Sequence, residues 1–364
     1  MSSTVPSGSQ SSCSGLSFPV KPKVMIIAMF NLEANLWLSE SSAIKFEHRL
    51  SIPGLCPEYK EIHCTTSGDV CLLITGMALI NAALSVSAAV SSVMLDLSKT
   101  YLMIAGIAGV NPQRATIGGV ALSRFAIQTD IQMEYDAREI PQDWPSGYHP
   151  IRATTLDGYP GTIYGSEVFE LNDTLRTRLF HVAQSVELVD SERAAAHRAV
   201  YCFDAAKQPP SVILGDTTAS NTFFHGRLLA EAAARVAKVY THDQAEYCMT
   251  AQEDTATLSA LLRGALEKRV DLSRVILMRS GSNFDRPHAD DVLPTIPFVL
   301  DHGGLEPALQ NLYLVGHEIV KHILDEWSST FEEGLLPGNY VGDLLGSLGG
   351  SPSYGQHKVE GENA

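Results

Sequence analysis

The sequence predicts an α/β fold in a single domain, and three observations carry the prediction. Wholly apolar runs of strand length recur along the chain. Segments with a helical period separate them. Neither an internal repeat nor a linker divides the 364 residues. Length alone would allow two or three domains, but large α/β folds often reach this size as one.

The ordered body is expected over residues 21–345, between a Ser/Gly-rich leader (1–20, disordered) and a Gly/Ser-rich tail (346–364, flexible). Residues 24–30 are continuously apolar, as in a central parallel strand, and residues 31–38 change to a helical period. Val70-Cys71-Leu72-Leu73-Ile74 is a second strand; Gly76 breaks it, and Asn81-Ala82-Ala83-Leu84 begins an Ala/Ser-rich helix. Residues 101–105 form a third strand, ending in Gly106-Ile107-Ala108-Gly109, and residues 118–123 form another short one. Residues 136–165, rich in Pro, Gly, Tyr and Asp, read as loops over the surface or the site. Asn172 caps a helix expected to run to about Tyr201, with a stripe of Leu175, Leu179, Val182, Val186 and Val189. A strand at 211–216, helices at 227–239 and 255–266, a buried strand at 275–279 and a helix at 312–327 complete the body.

Lys and Arg number 26 and Asp and Glu 41, a net charge of −15. With no basic stripe, nucleic acid and anionic membrane surfaces are excluded as partners. Residues 70–95 carry no charge for 26 positions, enough to span a bilayer. A strand, a glycine turn and a buried helix explain them without lipid, so no membrane span is expected. The six cysteines form no C-x-x-C pair and read as reduced, mostly buried thiols. Without a basic segment before an apolar core at the start, a cytoplasmic location is expected.

No metal is expected. His317 and His322 are five apart, which turns the second imidazole off the face of the first. Asp290 and Asp291 read as a solvated loop pair. Chemistry is sought instead beyond the carboxyl ends of the apolar strands, where open α/β sheets bind ligands. Those ends present Asn31 and Glu33; Gly106 to Gly109, whose backbone N–H groups can approach an anion or a water; Gln252-Glu253-Asp254; and Arg279-Ser280-Gly281-Ser282-Asn283.

Taken in order, Met29-Phe30, Thr75-Gly76-Met77 with Asn81-Ala82-Ala83, the 106–109 segment with Ile117-Gly118-Gly119, Asn221-Thr222-Phe223-Phe224-His225-Gly226, Glu253-Asp254 and Ser282-Asn283 resemble a known family. They look like the purine nucleoside phosphorylase and methylthioadenosine nucleosidase superfamily, and more closely like the purine nucleoside permease family, over roughly residues 23–337. The resemblance implies a three-layer αβα domain around a central mixed, largely parallel twisted sheet. It implies that Glu253 takes the ribose hydroxyls, which suits an acceptor-only carboxylate, with Gln252 where the superfamily has Met. Asn283 stands where the purine N7 is contacted; nucleosidases carry Asp there, and an amide gives up the proton donor. Asp285 is the alternative acid. Phe224 and Ser282 would help hold the base, and Glu33 would activate water, bound with Gly106, Ala108 and Gly109.

Where hexameric phosphorylases place an Arg, this chain has Ile104, which favours hydrolysis over phosphorolysis. The expectation is purine nucleoside binding with N-glycosidic cleavage and no cofactor; the alternative is a nucleoside-binding component of uptake without catalysis. Phosphate and a second copy of the chain, as a homo-oligomer, stand as further candidate partners.

Overall fold

β1 (Val24–Ala28), the first apolar run, is buried along its whole length. Met25 and Ile27 enter the core on one face of the sheet; Val24, Ile26 and Ala28 enter the core on the other, as the alternation of a strand requires. The computed structural model describes residues 16–289 and 302–355. After β1 come α1 (Asn31–Leu38), β2 (Phe46–Ser51), β3 (Glu61–Thr65), β4 (Val70–Ile74), α2 (Ala78–Ser91) and β5 (Tyr101–Val110). The middle of the chain supplies β6 (Val120–Leu122), β7 (Phe125–Gln128), the hairpin β8 (Gln132–Glu134) and β9 (Tyr148–Pro150), β10 (Val168–Glu170), α3 (Asp173–Ala183), α4 (Glu192–Ala199) and α5 (Asp204–Lys207). β11 (Val212–Leu214), β12 (Asp216–Ala219), α6 (Arg227–Thr241), β13 (Tyr247–Ala251), α7 (Asp254–Leu266), β14 (Val275–Phe284), α8 (Leu305–Asp325) and β15 (Gly342–Asp343) follow.

β1 lies parallel between β4 and β5, with Val24 opposite Val70 on one side and Tyr101 on the other. β14 runs parallel to β5 on its second edge. β12 pairs in parallel with β13 and β7, whereas β2–β3, β3–β4 and β13–β5 are antiparallel. α2 and α7 contribute Val86, Ala89, Leu258 and Leu261 to one core. α1, α3 and α8 contribute Trp37, Leu179, Val315 and Ile319 to the other. The result is the expected three-layer αβα arrangement around a mixed sheet.

Several expectations are corrected. The helix foreseen from Asn172 to Tyr201 is two helices, α3 and α4, because the stretch between them is captured by tertiary contacts. Val189 N–H donates to Asn311 Oδ1 at 2.7 Å, and Asn311 Nδ2 donates to Val189 O at 2.8 Å. The 106–109 segment is not a loop: β5 continues through it to Val110. The cysteines are not all thiols. Cys64 and Cys71 form a disulfide, since the tight β3–β4 connection sets them directly opposite each other at a Cα separation of 4.1 Å. Cys56 and Cys248 are free and buried; Cys202 is free and exposed.

The uncharged 70–95 stretch resolves into β4 and α2. The 14 residues of α2 reach about 21 Å, short of a hydrocarbon core of about 30 Å. Among the described residues, no helix is long and apolar enough to cross a membrane. Within the stretch expected as a flexible tail, Tyr354 is buried and packs edge-on against Phe125. The leader up to residue 15, Cys13, Asp290 and Asp291 lie outside the described residues.

Candidate functional site

β5 changes neighbours along its length. Residues 101–104 pair with β1, and Gly109 and Val110 pair with β13. Between them that edge has no strand partner among the described residues, and the side chain of Glu33, from the first turn of α1, fills the gap. Glu33 Oε1 accepts from the Ile107 N–H at 2.8 Å, and Oε2 accepts from the Met29 N–H at 2.7 Å. Sheet topology therefore prepares two backbone donors for one carboxylate.

Across from it stands Arg279 of β14, with only 1% of its side chain exposed. Its Nε and Nη2 both reach Asp254 Oδ1, at 3.0 and 2.5 Å, and Nη2 reaches Glu253 Oε2 at 3.2 Å. Nη1 donates to Ile107 O at 3.1 Å. Burial works against the guanidinium charge, but Asp254, Glu253 and Glu33 outweigh it and raise its pKa. The pKa of Glu33 is raised too, which for a carboxyl favours the neutral form. Burial lifts its carboxyl from the usual 4.5 to about 7; Arg279 opposes that lift, and the charge of Glu253 adds to it. A carboxyl poised near neutrality can take or hold a proton at working pH.

Glu253 caps α7 and completes this wall. Its Oε1 accepts from the Ala78 N–H at 2.9 Å. Ala78 has φ of 74°, a left-handed conformation that is costly for a residue with a Cβ, and this backbone carries the N–H that meets Glu253. The sequence gives no sign of that strain.

These groups line one cavity of about 460 Å³. Met29, Phe30, Glu33 and Met77 line it together with Phe224, Ser282, Asn283 and Asp285. The Ser282 hydroxyl donates to Asn283 Oδ1 at 2.9 Å, and Asn283 Nδ2 donates to Phe284 O at 3.0 Å. An amide nitrogen carries two hydrogens, so Asn283 Nδ2 has a second donor to offer the cavity it lines. Gln252 Nε2 reaches Asn221 O at 2.9 Å, and Asn221 Oδ1 accepts from the Leu79 N–H at 2.9 Å. The 220–224 loop is thereby tied to the start of α2. Asp285 Oδ1 accepts from Arg286 Nε at 2.7 Å and Oδ2 from the Tyr247 hydroxyl at 2.7 Å. Burial raises its pKa against the pull of Arg286.

Eight of the nine residues singled out from sequence line the cavity: Glu33, Ala108, Gly109, Phe224, Gln252, Glu253, Ser282 and Asn283. Gly106 does not; it lies beneath. A Cβ there would meet Arg279 Nη1 at 2.3 Å and Glu33 Oε1 at 2.7 Å, so this glycine makes room for the charged pair. Sequence reasoning missed Arg279 as a participant. Its signal was a lone basic residue inside an otherwise apolar strand, followed at once by small residues.

Fold and cavity define an α/β protein with a carboxylate-rich pocket lined by the carboxyl-terminal halves of β5, β13 and β14. The profile described as "Purine nucleoside permease (NUP)" matches residues 21–336. The purine nucleoside permease of Candida albicans is 39% identical over 346 residues, 93% of this chain and 84% of that protein. A probable purine nucleoside permease of Schizosaccharomyces pombe is 36% identical over 318 residues, 85% of this chain and 90% of that one. The chain belongs to the purine nucleoside permease family. Among solved structures, a 5′-methylthioadenosine/S-adenosylhomocysteine nucleosidase from Neisseria meningitidis is similar with a TM-score of 0.49 and 15% identity, covering 83% of this chain and 99% of that one. Futalosine hydrolase of Helicobacter pylori gives 0.48 and 13%, covering 83% and 98%.

Proposed function

We propose that this cavity binds a purine nucleoside and that the protein hydrolyses its N-glycosidic bond. The observation that carries the reading is the single wall on which a near-neutral carboxyl, Glu33, and a second carboxylate, Glu253, converge on one guanidinium. Glu253 would accept from the ribose hydroxyls, and its charge would favour an oxocarbenium-like sugar over the neutral substrate. Ionised Glu33 would take a proton from water as that water attacks the anomeric carbon. The electron pair of the breaking C–N bond then leaves with the purine. Asn283 would hold N7 through its amide, and Phe224 would cover the face of the base.

Charge supports water over phosphate as the nucleophile. Arg279 is the only Lys or Arg among the described lining residues, and it is already committed to Asp254 and Glu253. A phosphate dianion would meet Glu33 and Glu253 without a free cation, whereas water meets no such penalty. Arg114 and Arg124 do not line the cavity and pair with Glu246 and Glu170. Asp285 is a poor substitute acid, because the Arg286 guanidinium donates to both of its oxygens and so opposes the protonated form an acid needs.

The test is to incubate the purified protein with inosine, adenosine and guanosine, with and without phosphate. Free base with free ribose in both buffers is expected. No base above background would remove the catalytic reading, and phosphate-dependent ribose 1-phosphate would reverse the choice of nucleophile. The relatives' name as permeases supports a second reading, nucleoside binding in service of uptake. Tight binding without turnover, with recovery in a membrane fraction, would favour it.

A further inference from the structure

Glu33 and Arg279 are neighbours that do not pair. Arg279 stands opposite Gly106 in the β5–β14 ladder, and a Cβ on Gly106 would touch both Arg279 Nη1 and Glu33 Oε1. Ile107, the next residue, takes one bond from each side of this meeting. Its N–H donates to Glu33 Oε1 at 2.8 Å, and its carbonyl accepts from Arg279 Nη1 at 3.1 Å. Among the described residues, Glu33 accepts from the Ile107 and Met29 amides, and no hydrogen bond joins it to the guanidinium.

A guanidinium free to turn beside a carboxylate would take it in a two-bond fork. Asp254 stands in the way of that. It is the first residue of α7, its side chain is wholly buried, and it does not line the cavity. Its Oδ1 accepts from Nε and Nη2 of Arg279 at 3.0 and 2.5 Å, whereas Oδ2 makes no hydrogen bond. Holding Nε and Nη2 together fixes the plane of the rigid fork, and Nη1 is then aimed at the Ile107 carbonyl. A buried carboxylate oxygen without a donor is costly, and here that cost accompanies a guanidinium held in one orientation.

We infer that Asp254 is a positioning residue for the cleavage proposed above: by holding Arg279 off Glu33, it leaves the Glu33 carboxyl free to exchange a proton with water. This rests on that reading and deepens it. The charged groups that face Glu33 are Arg279 of β14, which favours its ionised form, and Glu253 at the start of α7, which opposes it. Asp254 bears on Glu33 through Arg279, whose charge it does most to stabilise. A neutral residue in its place would release the guanidinium to turn toward Glu33, making that carboxylate a weaker base.

The test compares the full-length wild type with Asp254→Asn. For inosine cleavage, kcat/KM of the wild type should rise with pH through about 7. In Asp254→Asn the midpoint should fall by about 1–3 pH units, the usual effect of an opposite charge brought into contact. The plateau should also fall about tenfold, because a less basic carboxylate is a poorer proton acceptor. A role confined to stability would lower the whole profile and leave its midpoint in place, which would overturn the inference. A second readout needs no turnover. The stability difference between Glu33→Gln and its parent, read by urea denaturation, should change with pH in the wild-type background. In the Asp254→Asn background that change should shrink by more than half. An undiminished change overturns the inference whether or not any nucleoside is cleaved. A diminished change without cleavage would uphold the hold of Asp254 on Glu33 and remove the catalytic reading alone. Asp254→Ser enters both measurements as a second variant should the first not fold.

Discussion

Replacing Glu33 by Gln separates the catalytic proposal from the electrostatics beneath it. Burial raises the carboxyl from 4.5 to about 7, so the folded protein holds this proton more tightly than the unfolded chain does. The group's stabilising contribution is then fully present below about pH 4.5 and is lost as pH rises through about 7. A difference of about 2.5 pKa units corresponds to about 3 kcal/mol, undiminished by screening because the group is wholly buried. Gln does not titrate, so the variant should gain about 3 kcal/mol on the wild type between pH 4 and pH 8. It also loses one acceptor: the Met29 or Ile107 N–H goes unpaired at a pH-independent cost of about 1–3 kcal/mol. That offset moves the baseline and leaves the slope. Urea denaturation at several pH values, followed through the fluorescence of buried Trp37, reads the difference directly. In parallel, kcat/KM of the wild type should rise with pH through about 7, and the variant should lose roughly 10²–10⁴-fold. A stability difference that does not change with pH would show that Glu33 is not a buried carboxyl poised near neutrality. A variant with near-wild-type kcat/KM would show that it is not the base.

Four further outcomes are expected. Glu253→Ala should lower kcat/KM for ribonucleosides roughly 10²–10⁴-fold, through two lost charge-assisted hydrogen bonds, and should equalise ribo- and 2′-deoxyribonucleosides; an unchanged ratio would remove the ribose assignment. Asn283→Asp should move the inosine-to-adenosine preference, measured as a ratio of kcat/KM, toward the 6-amino base, because a protonated carboxyl can donate to N7 and a carboxylate cannot; a fixed ratio would show that residue 283 does not touch the base. Ala78→Gly should raise thermal stability by about 1 kcal/mol, since glycine adopts the left-handed conformation without the Cβ penalty. Replacing both Cys64 and Cys71 by Ala should lower the urea midpoint by the equivalent of about 2 kcal/mol under oxidising conditions, the chain-entropy value for so short a loop, and the difference should vanish in reductant.

The strands were legible because burial on both faces demands continuous apolar runs, and those of β1, β4 and β14 stand out against their flanks. Where β5 ends was not legible. Gly106 and Gly109 look like turn residues, yet their missing side chains make room for Arg279 with Glu33 and for Thr250. The helix boundary near Val186 failed for a related reason. Val186 and Leu188 pack against the α8 core from an irregular segment, so they continue an apolar stripe after the helix that began it has stopped. The disulfide was hidden because seven residues of separation match no familiar cysteine spacing; only the register of β3 against β4 brings the pair together. Most of the candidate site was within reach, since strand ends that turn suddenly small or polar are visible in the sequence. Arg279 escaped because its role depends on carboxylates from two distant parts of the chain, Glu33 and the adjacent pair Glu253 and Asp254.

The site's departures from local rules have a common origin. Handing the β5 edge from β1 to β13 frees the Ile107 amide, which would be unsatisfied without Glu33. Burying Glu33 opposes its ionisation; Arg279 offsets part of that, but its own burial calls for Asp254 and Glu253 as well. Glu253 in turn accepts from Ala78, which gives that amide a role in a backbone conformation that alanine otherwise avoids. Removing Arg279 from this chain of dependencies should therefore cost about 3–5 kcal/mol, the usual penalty for stranding buried carboxylates. A wall organised only for stability would replace the four charged groups with well-packed apolar ones at little or no loss. Retaining them beside a cavity of nucleoside size is what a reaction developing positive charge at a sugar carbon would require, because the excess negative charge of the wall is compensated most fully when that cation forms.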